Sequence, residues 1–135
     1  MSGVTTPFDD PQAEQAWMFL QTLSDDGDLD EGFALLSDDF TYWSNGLGRT
    51  LTKAELREIT ARARETMVLH FDLLRCINEG ETVVVEAQAD GTNSAGERYD
   101  SPVAFIFDMR DGLITSLREY CDTRLFEKVF GAIPR

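Results

Sequence analysis

Apolar positions recur along this chain first at helical spacing and then at every second residue. Ala13, Ala16, Trp17, Leu20 and Leu23 form one stripe, and Asp10-Pro11 ahead of them pairs a capping side chain with proline at the first helical position. The acidic stretch 25–28 ends that helix, and Leu29, Phe33 and Leu36 predict a short second one. Residues 40–44, rich in aromatic and β-branched side chains, read as a strand ended by Asn45-Gly46. A third helix starts at Thr52-Lys-Ala-Glu55, a capping box in which each side chain satisfies the other residue's backbone N–H. Its apolar face is Leu56, Ile59, Ala63 and Met67.

Beyond that helix the period shortens to two. Residues 69–77, 82–90, 98–109 and 113–121 predict four strands, separated by Glu79-Gly80, Ser94-Ala95-Gly96 and Asp111-Gly112. Connections this short imply an antiparallel meander. Asp122-Thr123 caps a last helix carrying Leu125, Phe126, Val129 and Phe130, and Pro134 closes the chain. Helices first and a curved antiparallel sheet after them define an α+β fold, with the helices packed on one face of the sheet. Such a sheet, wrapped over an amphipathic helix, encloses a cone-shaped cavity. No repeat or linker interrupts the pattern, so residues 1–135 read as a single domain.

Charge narrows the possible partners. The 135 residues carry 25 acidic and 12 basic side chains, a net charge of −13. That field repels phosphate backbones and anionic lipid, so neither nucleic acid nor a membrane surface is expected as a partner. The longest apolar runs, 16–20 and 103–107, are too short to span a bilayer, and MSGVTTPFDD shows no secretory pattern; a cytoplasmic protein is expected. Cys76 and Cys121 are far apart and belong to no CxxC pair, and His70 is the only histidine, so no metal site or other cofactor is expected. Asp26-x-Asp28-x-Asp30 has the spacing of a calcium loop, but Glu31 replaces its glycine and Ser37 its closing glutamate.

Two segments resemble a known family. Gly96-Glu-Arg-Tyr99-Asp-Ser-Pro-Val-Ala-Phe105-Ile-Phe107, leading into Asp111-Gly112-Leu-Ile114, is one. Arg118-Glu119-Tyr120-Cys121-Asp122, followed by a helix ending Phe130-Gly131, is the other. Together they are similar to the last two strands of SnoaL-like proteins of the nuclear transport factor 2-like superfamily, which includes ketosteroid isomerase and limonene epoxide hydrolase. The resemblance implies the conical α+β fold and leaves the chemistry open, because such folds host many reactions. Limonene epoxide hydrolases use an Asp-Arg-Asp set with a Tyr and an Asn. The last acid of that set falls on Glu119, the Tyr on Tyr42 and the Asn on Ser44. An ungapped count back from Gly96 puts the Arg-x-Asp on Glu86-x-Gln88, so two of the three members are lost. The ketosteroid isomerase base also falls on Ser44. SnoaL cyclases need one cavity carboxylate, which Glu119 or Asp122 supplies.

Glu119 is therefore the leading acid/base candidate, with Tyr42 as a donor to a substrate oxygen or water and Asp122 as either a second acid or a helix cap. Strand alternation places Leu117 and Glu119 on one face and Arg118 and Tyr120 on the other. Among apolar walls, desolvation raises a carboxyl pKa toward the range useful for proton transfer. Ser44, Tyr99, Ser101, Val103, Phe105, Leu117, Phe126 and Trp17 complete the expected ligand-binding wall. Glu86 and Gln88 carry two readings. The family count turns them into the cavity, whereas the all-apolar set Val83, Val85, Ala87 and Ala89 on the opposite face would turn them out.

The expected ligand is a small hydrophobic molecule, such as a polyketide, terpenoid or steroid-like compound, converted by cofactor-free isomerisation, aldol cyclisation, dehydration or hydration. The alternative is a module of the same fold that binds a ligand or dimerises without catalysis. Pro102, Ala104, Ile106, Arg118 and Tyr120 make a broad outer sheet face with no helix over it, and a homodimer through that face is expected.

Overall fold

The computed structural model describes residues 10–24 and 27–131. Helix α1 (Pro11–Leu23) opens on Asp10, whose carboxylate accepts from Gln12 N and Ala13 N. Its buried face carries Ala13, Ala16, Phe19 and Leu20, with Trp17 only partly covered at the edge of the core. Helix α2 (Leu29–Phe33) is capped by Asp28. Leu36, expected in that helix, instead begins strand β1 (Leu36–Ser44), because the chain pairs with the sheet as soon as α2 ends. A short strand β2 (Arg49–Thr52) returns along β1 and was not anticipated, since four residues are too few to show a period.

The capping box forms as expected: Glu55 N donates to Thr52 Oγ1, and Thr52 N to Glu55 Oε1. It opens α3 (Lys53–Thr66). Met67, expected on the helix face, is the first residue of the meander β3 (Met67–Glu79), β4 (Thr82–Asn93), β5 (Arg98–Arg110) and β6 (Leu113–Tyr120). Helix α4 (Thr123–Phe130) follows, with Asp122 as its cap. Residues 25 and 26, expected among the helix breakers, and Pro134 lie outside the described residues. No helix among the described residues is long and apolar enough to cross a membrane.

The six strands form one curved, open sheet in the order β2-β1-β6-β5-β4-β3. All pairs are antiparallel except β1 with β6, which run parallel in the register Tyr42↔Leu117 and Ser44↔Glu119. The protein is thus α+β, with helices on the concave side. That side is apolar by strict alternation: Val83, Val85, Ala87 and Ala89 of β4 are fully buried, as are Phe105 and Phe107 of β5. Phe19 joins them to α2 and β1, meeting Phe33 edge-on at 5.4 Å and Phe40 at 6.1 Å. On the convex side Arg118 lies over Trp43 at 4.3 Å, beside Tyr120.

Asp122 accepts from both Arg124 N and Leu125 N at 3.1 Å. Asp122→Ala is therefore expected to cost about 1 kcal/mol in denaturant unfolding, while Asp122→Asn, which keeps a capping oxygen, is close to neutral. Equal midpoints for the wild type and the Ala variant would contradict the capping role.

Candidate functional site

The parallel pairing of β1 with β6 assembles the polar heart of the cavity. Ser44 stands level with Glu119, so Tyr42, two residues back and on the same face, reaches Glu119 diagonally. The Tyr42 hydroxyl donates to Glu119 Oε1 at 2.5 Å. Beyond the strand ends the Asn45 side chain continues the pairing: its Nδ2 donates to Cys121 O at 3.1 Å, and its Oδ1 accepts from Cys121 N at 3.0 Å.

Around this pair lies a largely apolar cavity of about 100 Å³. Helix α3 roofs it with Leu56, Ile59, Thr60 and Ala63, the i, i+3, i+4, i+7 face of that helix. Leu69 and Phe71 of β3 and Tyr99 of β5 line one side, while Leu23, Leu47, Phe126 and Phe130 close the rest. Phe126 stacks on Phe130 at 4.6 Å, and Phe130 meets Tyr99 edge-on at 5.2 Å. The turn after β1 passes so close to this cluster that a Cβ on Gly46 would sit 2.8 Å from the Phe126 ring, so glycine is required there for close approach.

Burial pushes the Glu119 carboxyl up to about 7, partly offset by the hydrogen bond from Tyr42. Tyr42 is held well above the usual phenol range, first by burial and then by the Glu119 charge, so its proton stays available for donation. Burial and the same charge also raise Tyr99, and they push the half-buried Cys121 thiol up to about 11. A carboxyl titrating near 7 exists in both protonation states at neutral pH, and either state can move a proton.

Of the residues singled out from the sequence, Glu119, Tyr42, Tyr99 and Phe126 converge on this cavity. Ser44 is fully buried beside it; its hydroxyl accepts from Gly46 N at 3.1 Å and so holds the turn. Ser101, Val103, Phe105 and Leu117 are buried on the same concave face but lie outside the cavity lining. Trp17 also lies outside the lining, because α1 turns Phe19 and Leu20 into the core instead.

Glu86 and Gln88 do not enter the cavity. They alternate with the buried Val85, Ala87 and Ala89 and point to the convex side, where Gln88 donates to Asp100 at 2.8 Å. A shift of one residue in a strand exchanges its faces, and the inward positions of β4 hold valine or alanine whichever way the family count is adjusted. Asp122 is an exposed helix cap, and His70 is an exposed partner of Asp72. Sequence reasoning overlooked Thr60, Leu69, Phe71 and Leu47. Thr60 was legible as the i+4 partner of Leu56, on the helix face that also carries Ile59 and Ala63. Among the described residues, no three His, Cys, Asp or Glu side chains converge as metal ligands would.

A curved, open six-stranded sheet of this topology, with helices on its concave side, defines the fold as α+β. The sequence matches the SnoaL-like domain family over residues 18–117, and the chain belongs to that family. No curated protein matches it. Solved structures share the fold. A SnoaL-like protein of Jannaschia sp. CCS1, classed as a polyketide cyclase, is 16% identical and superimposes with a TM-score of 0.78 over 98% of this chain and 100% of its own. An M. tuberculosis epoxide hydrolase of the limonene epoxide hydrolase-like type is 24% identical, with a TM-score of 0.75 and 87% of each chain covered. A Catenulispora acidiphila protein with a ketosteroid isomerase-like fold is 21% identical, with a TM-score of 0.71 over 79% of this chain and 84% of its own.

Because the folded carboxyl binds its proton more tightly than the unfolded one, Glu119 stabilises the protein fully only below the unfolded value of 4.5. That contribution is lost as pH rises from 4.5 to about 7. Wild-type stability relative to Glu119→Gln is expected to fall across this window in urea titrations at several pH values. A difference independent of pH would contradict the raised pKa.

Proposed function

We propose that this protein is a cofactor-free acid/base enzyme acting on a small, neutral, hydrophobic molecule, with Glu119 moving the proton. The observation that carries this reading is a single carboxyl, hydrogen-bonded to a buried tyrosine, in a largely apolar cavity. Glu119 takes a proton from a carbon next to a carbonyl group and returns it, to the same carbon or to a different atom. Tyr42 fixes the carboxyl and moderates its basicity. Isomerisation, aldol cyclisation and dehydration all need this step.

Epoxide hydrolysis of the limonene epoxide hydrolase type is less well supported. It calls for a second acid and an arginine facing the cavity, and the inward positions of β4 are Val83, Val85, Ala87 and Ala89. Volume limits the substrate as well. An apolar cavity of about 150 Å³ holds one benzene ring. Some 100 Å³ of room is smaller than that, so the ligand the cavity supports is compact, one ring at most.

Cyclohexanone in D₂O, followed by NMR, tests the reading. The wild type is expected to speed deuterium uptake at the two carbons flanking the carbonyl, and Glu119→Gln to lose about 10²- to 10⁴-fold of that rate. Uptake no faster than in buffer, or equal in the variant, would instead support a pocket that binds without catalysis.

A further inference from the structure

Four polar side chains line the cavity: Tyr42, Thr60, Tyr99 and Glu119. Two of their donors are already committed. The Tyr42 hydroxyl donates to Glu119 Oε1, and the Thr60 hydroxyl donates to Leu56 O at 2.8 Å, within its own helix. Tyr99 differs. The residue is 2% exposed, and its hydroxyl is buried with no oxygen or nitrogen partner. The Cys121 thiol stands beside it, but sulfur is a poor substitute for an oxygen acceptor. Buried hydroxyls in folded proteins are overwhelmingly paired, and leaving one unpaired costs free energy. In a cavity wall, the missing partner is an atom of whatever fills the cavity.

We infer that the Tyr99 hydroxyl is the donor that recognises an acceptor oxygen on the ligand, which makes the ligand a neutral ring-sized carbonyl compound and not a hydrocarbon. This inference deepens the acid/base reading and rests on it for the identity of the pocket. Burial and the nearby Glu119 charge keep the phenol protonated, so it offers a hydrogen and does not compete as an anion. The same Glu119 charge disfavours a ligand oxygen that is itself ionised. Beside Tyr99 the cavity offers one other uncommitted polar atom, the second carboxylate oxygen of Glu119. A carbonyl oxygen on Tyr99 and an adjacent C–H on Glu119 then satisfy both. Phe130, edge-on to the Tyr99 ring, holds that ring in place.

Cyclohexanone and methylenecyclohexane have nearly the same outline and differ by an oxygen in place of a CH₂ group, so the pair isolates the hydrogen bond. Binding of each to the wild type and to Tyr99→Phe is read by chemical-shift titration. Tyr99→Phe is expected to weaken cyclohexanone by about tenfold and to leave methylenecyclohexane within about twofold. Equal effects on the two ligands, or no effect on the ketone, would overturn the inference. So would the absence of saturable binding by either ligand in the wild type.

A ligand-free measurement adds an independent arm. Removing a hydroxyl that has no oxygen or nitrogen partner is expected to leave the melting temperature of the empty protein unchanged or raised. A clear fall would reveal a structural partner, Cys121 foremost, and overturn the assignment. Deuterium uptake separates this inference from the reading it builds on. Ketone discrimination that persists without uptake removes the catalytic role of Glu119 and leaves Tyr99 standing. Uptake without discrimination does the reverse.

Discussion

The parallel contact between β1 and β6 is the constraint on which the rest of this structure depends. Every other strand pair is antiparallel and joined by a short turn or neighbouring segment, so those pairings follow locally from the chain. The β1–β6 pair is long-range and closes only after the chain has run through β2, α3 and the meander. Its register sets Ser44 level with Glu119 and Tyr42 level with Leu117, which brings the Tyr42 hydroxyl to the Glu119 carboxyl. Asn45 carries the pairing one residue further by gripping both backbone polar groups of Cys121. A slip by one residue would turn the Glu119 side chain to the convex face and leave the cavity without its carboxyl.

From that contact the chemistry follows by desolvation. A carboxyl in water titrates too low to hold a proton at neutral pH, and one buried without a partner is costly. Here the cone strips water away while Tyr42 supplies one strong hydrogen bond to the charged form. The two effects oppose each other and leave the carboxyl near neutrality. Thr60 turns its hydroxyl back onto its own helix, and the inward positions of β4 are small and apolar. Among the described residues no second carboxyl shares the cavity lining, so a proton that leaves Glu119 goes to the ligand or to solvent.

Much of this was legible in the sequence, and for physical reasons. The capping box at Thr52, the Asp10-Pro11 start and the Asp122 cap are local devices, and each forms as its residues dictate. The alternation in β4 and β5 is strict enough to fix which face is buried, and in β6 it put Glu119 on the same face as Leu117. Glu86 and Gln88 show where counting along a family pattern without gaps misleads. The alternation around Val85 and Ala87 already argued that those side chains point out, and burial of the methyl groups wins over the count. Three features were not legible. The pairing of β1 with β6 joins residues 77 apart, as the Tyr42–Glu119 bond shows, and no local pattern announces it. Strand β2 is too short to have a period. The selection of Tyr99 over Ser101, Val103 and Phe105 as the cavity residue of β5 depends on where α4 lays Phe126 and Phe130, a packing outcome.

The central claim is that one carboxyl, desolvated in an apolar cone and held by one tyrosine, titrates near neutrality. A pH titration of the Glu119 side-chain carboxyl carbon by NMR, in selectively labelled wild-type protein and in Tyr42→Phe, measures this directly. The account predicts a midpoint near 7 in the wild type and a higher one in Tyr42→Phe, because the hydrogen bond that favours the charged form is gone. A wild-type midpoint at the ordinary value of 4.5, unmoved by Tyr42→Phe, would contradict it.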